Sequence, residues 1–297
     1  MQLTEAPFRG ITAGFARDRI AVAAMVLLFL ILLSAVLAPL IAPQNPYDLA
    51  QLDILEAKLA PGAKSVAGMT YWLGTDEQGR DMFSAILYGL RISLGVGVAA
   101  TLAALAIGMA VGLLAGYRGG WIDGLLMRLV DLQLSFPAIL IALVLLAVTG
   151  PGVDKIVIAL IAVQWAYYAR TVRGIALVEK RKEYVEAARC LAFGNSRIVF
   201  RHILPNCLSP LVVVATVQVA HAITLEATLS FLGLGVPITS PSLGLLIANG
   251  FVHLLSGKYW ISFFPGIALL VTIVAINLVG DHLRDVLNPR LGSHYGT

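Results

Sequence analysis

The chain has 297 residues, of which 59% are hydrophobic and only 13% are charged, against about 25% charged residues in an ordinary soluble domain. This composition indicates a membrane protein. The formal net charge is only +4 and the basic residues cluster at the ends of apolar runs. That distribution argues against a nucleic-acid-binding protein and favours a membrane protein with positively charged cytoplasmic segments.

Five apolar runs have about the 20 residues that a helix needs to cross a membrane. A sixth run, 156–169, is shorter, and its helix is expected to continue through Arg170 and Arg173, whose long side chains can reach the membrane interface. The expected fold class is therefore all-α, a polytopic membrane protein with six transmembrane helices. The six spans are predicted at 20–42, 92–117, 132–153, 156–169, 208–225 and 259–280.

The distribution of Lys and Arg predicts the orientation of these spans, because cytoplasmic loops carry an excess of both residues. With the N-terminus inside, the cytoplasmic segments hold 15 Lys or Arg and the outer segments hold 6. Both termini are therefore expected in the cytoplasm. The predicted organisation is a cytoplasmic N-terminus and first helix at 1–42, an extracytoplasmic segment at 43–91, a five-helix core at 92–287 and a cytoplasmic tail at 288–297.

The second predicted span carries a small residue at every fourth position. Small residues let two membrane helices approach closely, and this packing favours their association in lipid. The neighbouring helix is expected either within this chain or in a partner subunit. The stripe consists of Ala100, Ala104, Gly108, Gly112 and Gly116.

Residues 170–207 form a polar island between two apolar runs, with eight Lys or Arg and three Glu. A charged residue at the bilayer centre costs about 2.5–3.5 kcal/mol, so the island is predicted to be a cytoplasmic loop. Within it, Tyr184, Ala187, Ala188 and Leu191 fall at i, i+3, i+4 and i+7. This spacing predicts a short helix with one apolar stripe.

The ends of the helices in this loop are also predicted. Gly194 is expected to break the first helix, and Pro205 is expected to end a second one. Two short helices, one with an exposed face of small residues, would form a docking knob. A solvated basic loop without a partner is the alternative.

The loop sequence Glu186-Ala187-Ala188, followed further on by Leu204-Pro205, resembles the EAA loop of importer permeases in the ATP-binding-cassette (ABC) superfamily. The family usually has Gly six residues after the Glu, where this chain has Ala192. Other segments are similar to the C-type permeases of dipeptide, oligopeptide and nickel importers. They are 73–94, 226–235 and 277–290.

This resemblance implies a type I ABC importer permease in the bacterial inner membrane. The implied partners are a homologous B-type permease, two ABC ATPase subunits and an extracytoplasmic substrate-binding protein. In the family the EAA loop sits in a groove of the ATPase subunit. The residues expected at that contact are Tyr184, Glu186, Ala187, Ala188, Leu191, Gly194 and Pro205.

The sequence contains no Gly-x-x-x-x-Gly-Lys-Ser/Thr phosphate loop. The chain is therefore expected to be no enzyme and to bind no cofactor, while ATP and Mg would be used by the partner ATPase subunits. The motifs of zinc proteases and serine hydrolases are also missing from the sequence, and its five His are scattered. Neither a catalytic site nor a metal site is expected.

Polar residues within membrane spans are candidates for the transport path. In type I importers the fifth helix lines this path, and Gln218 and His221 are predicted to share one face of it. Hydrogen bonding between packed helices is the alternative for these residues, and Glu226 could instead lie at the water interface. The candidates are Gln164, Thr216, Gln218, His221 and Glu226.

The predicted function is the transmembrane permease subunit of a binding-protein-dependent ABC importer for di- or oligopeptides. Uptake of nickel, glutathione or opines is an alternative within the same family, because selection lies largely in the binding protein. An ion-coupled secondary transporter is a rival from another class. It should show internal repeats or intramembrane carboxylates, and neither is visible in the sequence.

Overall fold

A computed structural model describes residues 18–48, 52–66, 68–237 and 239–287. The predicted cytoplasmic tail, 288–297, and residues 1–17 of the predicted N-terminal segment lie outside the described residues. The described part is mainly helical and contains one small hairpin. Its α-helices are α1 Arg19–Val36, α2 Ala38–Ile41, α3 Met82–Arg118, α4 Gly120–Ser135, α5 Ala138–Thr149, α6 Val153–Glu179, α7 Glu183–Cys190, α8 Asn195–Ile198, α9 Leu204–Phe231, α10 Leu243–Phe251 and α11 Trp260–Leu287.

Four helical segments are long and apolar enough to cross a membrane, and the bent pair α4 and α5 would make a fifth. The four are α1, α3, α11 and the continuous stretch Asn195–Phe231, which contains α8 and α9. The predicted fourth span, 156–169, lies within α6. At about 1.5 Å per residue, the 27 residues of α6 make it long enough to accompany α3. The all-α polytopic fold is therefore confirmed.

The third span, predicted over 132–153 with Pro137 either starting its membrane portion or kinking it, is broken in the structure. Helix α4 ends at Ser135, and α5 begins at Ala138 with its axis bent by 88° from that of α4. Proline disfavours helical geometry in the residue before it, and Phe136 is accordingly extended, with φ −93° and ψ 142°. Pro137 is extended as well, at ψ 127°.

Helix α3 begins at Met82, ten residues before the predicted start of the second span at Ile92. The side chain of Asp81 caps it by accepting a hydrogen bond from the backbone N–H of Ser84 at 2.8 Å. This carboxylate pairs one of the N–H groups that a helix start leaves without a partner. The charge of Arg91 marked an end of the apolar run, but it does not end the helix.

The stripe of small residues on α3 packs against α6 of the same chain. A Cβ atom placed on Gly108 would lie 2.4 Å from the carbonyl oxygen of Trp165, and one placed on Gly112 would lie 2.5 Å from that of Ala169. Both distances are too short for a carbon atom, so the two backbones touch. Packing within this chain, rather than against a partner subunit, is thus confirmed at these two positions.

Residues 53–66 and 68–81 form a compact cap beside the N-terminal ends of α3 and α11. It contains a 3₁₀ turn, Ile54–Glu56, and an antiparallel hairpin of β1 Ala63–Lys64 and β2 Thr70–Tyr71. The indole N–H of Trp260 donates to the carbonyl oxygen of Thr75 at 3.1 Å. This bond joins the cap to the first turn of α11.

Polar contacts hold the cap together. Hydrogen bonds from Ser65 at 2.6 Å, from Tyr71 and from the N–H of Val66 at 2.6 Å converge on the Glu56 carboxylate. They favour the ionised form, and the pKa of Glu56 lies below its usual value. Burial and the neighbouring Glu56 raise the pKa of Tyr71 to about 12.

An ion pair completes the cap. Arg80 Nε and Asp76 Oδ2 are 2.6 Å apart, with side chains only 1% and 0% exposed. Gly79 next to them has φ +75°, and a Cβ there would lie 2.1 Å from the Asp53 carbonyl oxygen. The close turn therefore requires glycine.

Candidate coupling loop and transport path

The polar island of the sequence forms a helical loop between α6 and α9. Helix α7 follows a short turn after Glu179, and α8 leads through a π-helical turn, Val199–Ile203, into α9. We call residues 183–195 the knob. Its helix α7 has both acidic residues, Glu183 and Glu186, in the first turn and Arg189 in the last, an arrangement that suits the helix dipole.

Helix α7 buries one face and exposes the other. Val185 and Ala188 are only 0% and 3% exposed and belong to the same apolar cluster as Ile198. Glu186 and Ala187 are exposed. The predicted apolar stripe was therefore wrong in placing Ala188 on the outer face, because the buried face is set by Val185 and its i+3 neighbour.

The other two members of the predicted stripe lie on the outside of the knob. Leu191 is 69% exposed and Tyr184 is 37% exposed. An exposed Leu next to exposed Ala187 gives the knob an apolar tip. Its surroundings are basic, because Arg189 and Arg197 are exposed as well.

Hydrogen bonds fasten the knob to both neighbouring helices. The Tyr184 hydroxyl donates to Glu179 Oε2 at 2.6 Å and accepts from Asn206 Nδ2 at 3.1 Å. Lys182 Nζ lies 2.6 Å from Glu179 Oε1. Burial of Glu179 favours its neutral form, but these two hydrogen bonds outweigh burial, and its pKa lies below the usual range. Sequence reasoning did not single out Glu179 or Asn206.

The turn after α7 is made at Ala192 and not, as predicted, at Gly194. Ala192 has φ 56°, in the left-handed region, whereas Gly194 has an ordinary φ of −62°. In this turn the N–H of Ala192 donates to the Arg189 carbonyl at 2.9 Å. The conformation that favours glycine thus occurs at the position where the family usually has it.

Pro205 does not end a helix, contrary to the prediction. It lies in the first turn of α9, where the missing N–H of proline is tolerated. In the preceding π turn the N–H of Leu204 donates to the carbonyl of Val199, five residues back. This wider turn carries the chain past Pro205 without a break, so residues 195–231 form one continuous rod.

Two Arg of α6 pair with Asp of α4 instead of reaching freely for the interface. Arg173 Nε and Nη2 lie 2.5 Å and 2.7 Å from the two carboxylate oxygens of Asp123. Arg170 pairs with Asp131. Such paired charges are the form in which ionisable residues are tolerated at membrane depth, and they join α4 to α6.

Gln164 is a bridge between helices. It is 3% exposed, donates from Nε2 to the backbone carbonyl of Gln218 at 3.1 Å, and accepts from the Thr101 hydroxyl at 3.4 Å. These contacts connect α3, α6 and α9. They fit the predicted alternative of hydrogen bonding between packed helices.

Glu226 is fully buried, at 0% exposure. Its two carboxyl oxygens accept hydrogen bonds from Ser93 at 2.8 Å and from Ser230 at 2.7 Å. Glu226 therefore lines no open path and does not lie at a water interface, and both predictions for it were wrong. The cause is its position between α3 and α9, which periodicity along one helix does not reveal.

The three remaining candidates lie in different surroundings. Thr216 donates to the Val213 carbonyl of its own helix at 2.8 Å. Gln218 is only 9% exposed and lines a cleft of about 600 Å³ between α9 and α11, with Asp281 at its edge. His221 is exposed. The predicted common face of Gln218 and His221 is thus divided between a cleft and an open surface.

A bundle of apolar helices that carries a charged helical loop is typical of a multi-pass membrane protein. Residues 108–293 match the family model described as binding-protein-dependent transport system inner membrane component. Residues 7–61 match the N-terminal transmembrane domain of oligopeptide transport permease C. The chain belongs to this family of importer permeases.

Relatives and solved structures agree. The chain is 43% identical to the dipeptide transport system permease protein of Escherichia coli, over 93% of this chain and 91% of the relative. It is 36% identical to the di/tripeptide transport system permease protein of Pseudomonas aeruginosa, over 96% and 93%. The fold is similar to the inward-facing MetNI methionine ABC transporter, with TM-score 0.57 and 21% identity over 69% of this chain and 97% of that one.

Proposed function

We propose that this permease subunit imports di- or oligopeptides and is driven by ABC ATPases that dock on the knob. The observation that carries the coupling role is the exposed tip of α7, formed by Glu186, Ala187 and Leu191, on a helix whose other face is buried. The names of the relatives, dipeptide and di/tripeptide permeases, support the substrate class.

The network around Tyr184 suits the knob to transmit force. Because Glu179 and Asn206 hold Tyr184 from two helices, a displacement of α7 would move the ends of α6 and α9 with it. Two ATPases that close on ATP and Mg would thereby tilt the bundle. ATP hydrolysis takes place in those partners, and the knob of this chain transmits their movement to the transmembrane helices.

The remaining partners follow from the same proposal. A homologous B-type permease forms the other half of the path, and an extracytoplasmic binding protein delivers the peptide. The chain lies in the bacterial inner membrane with both termini in the cytoplasm, which puts the knob inside and the cap outside.

The open face of α9 is the proposed share of this chain in the path. His221 and Thr224 are exposed there, and within the described part of the chain no hydrogen bond to the His221 ring is found. An imidazole facing lipid without a partner is costly, so this face is better suited to a water-filled path or a partner helix. Gln218 faces the neighbouring cleft.

The coupling role is tested by Ala187→Glu, with Ala187→Ser as the matched control. The larger charged side chain should block docking, while insertion into the membrane stays normal. The amount of ATPase that co-purifies with the membrane complex should fall at least about tenfold, which corresponds to a loss of about 1.4 kcal/mol in binding free energy. Ala187→Ser should behave as wild type. Full ATPase recovery and normal uptake with Ala187→Glu would show that α7 is not the contact.

The substrate class is tested in cells that lack this gene. Uptake of a labelled dipeptide, of nickel and of glutathione should be compared before and after the gene is restored. We expect the gene to restore dipeptide uptake and to leave the other two unchanged. If the gene restored only nickel uptake or only glutathione uptake, the substrate would be nickel or glutathione and not a dipeptide.

A further inference from the structure

Glu226 is a carboxyl group buried in a membrane bundle, where such groups are costly and mark function. The two hydroxyls that bind it, Ser93 and Ser230, are each only 1% exposed. None of the ion pairs formed by the described residues involves Glu226. Hydroxyl groups therefore hold it, and the two hydrogen bonds come from Ser93 of α3 and from Ser230 of its own helix, α9.

A third helix meets the others at this point. Ser242 is fully buried and caps the start of α10 by accepting from the N–H of Leu245 at 3.3 Å. Its hydroxyl lies beside the Glu226 side chain. The carboxyl thus sits at the junction of α3, α9 and the N-terminus of α10.

The backbones around the junction are in contact. A Cβ on Gly244 of α10 would lie 2.4 Å from the Ala227 carbonyl oxygen on α9. A Cβ on Gly89 of α3 would lie 3.2 Å from the backbone nitrogen of Leu243. The start of α10 is therefore held between α3 and α9, with no room for a side chain against α9.

This junction and the knob lie on the same rod. Residues 195–231 are one continuous helical stretch, and the 31 residues from Asn195 to Glu226 correspond to about 47 Å at 1.5 Å per residue. One end of the rod forms part of the knob, and the other end carries Glu226 and Ser230. The stretch contains the π turn Val199–Ile203 and, inside α9, Pro210, and the backbone stays helical through both. The two ends are therefore connected by one unbroken helix, along which a displacement of the first end can reach the second.

We propose that Glu226 is a positioning residue that fastens α10 to the rod, so that a movement of the knob displaces α10 at the far side of the membrane. The proposal rests on the coupling role of the knob given above. The contacts that fasten α10 are polar. The Glu226 carboxyl accepts hydrogen bonds from hydroxyls of α3 and α9, and it lies beside the serine that caps α10.

The test uses the complete complex in liposomes, with both native cysteines replaced by alanine and Ala248→Cys as a reporter on α10. The rate of its reaction with an impermeant maleimide is measured without nucleotide and after trapping with ATP and vanadate. In the wild type, we expect trapping with ATP and vanadate to change this labelling rate at least about fivefold, which is the lower end of the range for coupling between two sites. Glu226→Leu should reduce the change to less than about twofold, since the carboxyl contacts are gone.

Two controls separate coupling from simple stability. Glu226→Gln keeps a side chain of the same shape that can still hydrogen-bond the serines, and it should restore the wild-type change. Thr272→Val removes another buried hydroxyl, one that bonds only the Ala268 carbonyl of its own helix. It should lower the melting temperature but leave the labelling change intact.

A wild-type labelling change in Glu226→Leu would overturn the proposal. If that variant does not assemble, the double variant Ser93→Ala and Ser242→Ala removes the hydroxyls next to Glu226 that belong to α3 and to the start of α10, and it decides by the same measurement. Failure of the proposed function can be told apart from failure of this proposal. If the proposed function were wrong, the wild-type complex would show no ATP-driven uptake, and Ala187→Glu would have no effect.

Discussion

At the scale of single residues, Ala192 bears the largest visible strain in the knob. Its φ of 56° places Cβ close to the following carbonyl group, which costs a residue other than glycine about 1–2 kcal/mol. The next residue, Phe193, is held by a hydrogen bond from its N–H to the Ala188 carbonyl at 3.1 Å. This hydrogen bond therefore helps to keep Ala192 in a left-handed conformation that alanine disfavours.

Ala192→Gly should relieve this strain and stabilise the loop by about 1 kcal/mol. The measurement is the melting temperature of the purified chain, together with hydrogen exchange over 183–195. Ala187→Gly is the control, since a glycine inside a helix should cost about 0.5–1 kcal/mol. A fall in stability with Ala192→Gly of the size seen for Ala187→Gly would contradict this account of the turn.

Glu56 gives the cap a defined dependence on pH. Because hydrogen bonds from Ser65 and Tyr71 lower its pKa in the folded cap, its contribution to stability is complete above the unfolded pKa, about 4.3. It is lost as the pH falls through the lower folded pKa.

Hydrogen exchange over the hairpin 63–71, corrected for intrinsic rates, should show constant protection from pH 8 to about 5 and decreasing protection below about 4. Glu56→Gln should be less protected throughout and should lack this decrease, since it has no charge to lose. Equal acid sensitivity in both proteins would assign the pH dependence to another group.

At the scale of elements, the glycine stripe of α3 is required for its contact with α6. Gly112→Ala would place a carbon 2.5 Å from the Ala169 carbonyl oxygen, and such overpacking typically costs about 1–3 kcal/mol. Gly95 lies on the same helix with nothing within 4 Å of an added Cβ. Gly95→Ala should therefore be neutral or stabilising by about 0.5–1 kcal/mol.

Melting of the two purified variants in the same detergent compares these effects directly. We expect Gly112→Ala to melt well below the wild type and Gly95→Ala to melt at or above it. Equal melting temperatures would mean that α3 and α6 can separate enough to admit a methyl group.

The sequence predicts features that depend on one helix at a time. Runs of apolar residues located the spans, and fourfold spacing located the stripe at Gly108 and Gly112. Features that need two helices escaped prediction: the pairing of Arg173 with Asp123, and the burial of Glu226 between α3 and α9. Periodicity states which residues share a face, but it does not state which neighbour covers that face.

The same limit explains the errors in the knob. Ala187 and Ala188 are chemically identical, so only the packing of Val185 against the loop decides which alanine is buried. A helix start or a kink at Pro137 was predicted from the sequence, and its effect on the preceding residue explains the break. The size of the bend depends on the neighbouring helices.

At the scale of the whole molecule, the proposed orientation can be tested with one added cysteine. Val66 lies in the cap and is 94% exposed, while the native Cys190 is exposed on the knob. In cells with a permeabilised outer membrane, an impermeant maleimide should label Val66→Cys at once. Cys190 should react only after the inner membrane is opened.

The native protein serves as the control, because its Cys207 is buried and Cys190 should report lysis alone. Labelling of Cys190 in intact cells, with Val66→Cys protected, would reverse the orientation. Mass spectrometry of the labelled peptides identifies which thiol has reacted.

The continuity of residues 195–231 also limits which insertions and deletions this part of the chain can tolerate. Deletion of one residue within a helix turns its two ends relative to each other by about 100° and shortens it by about 1.5 Å. In this rod such a deletion would rotate Glu226 away from Ser93 while the knob stayed in place. Substitutions along the rod are therefore easier to accommodate than changes in its length. The exception is the π turn Val199–Ile203, which already holds one residue more than an α-helical turn, so that loss of one residue there would keep the register on both sides.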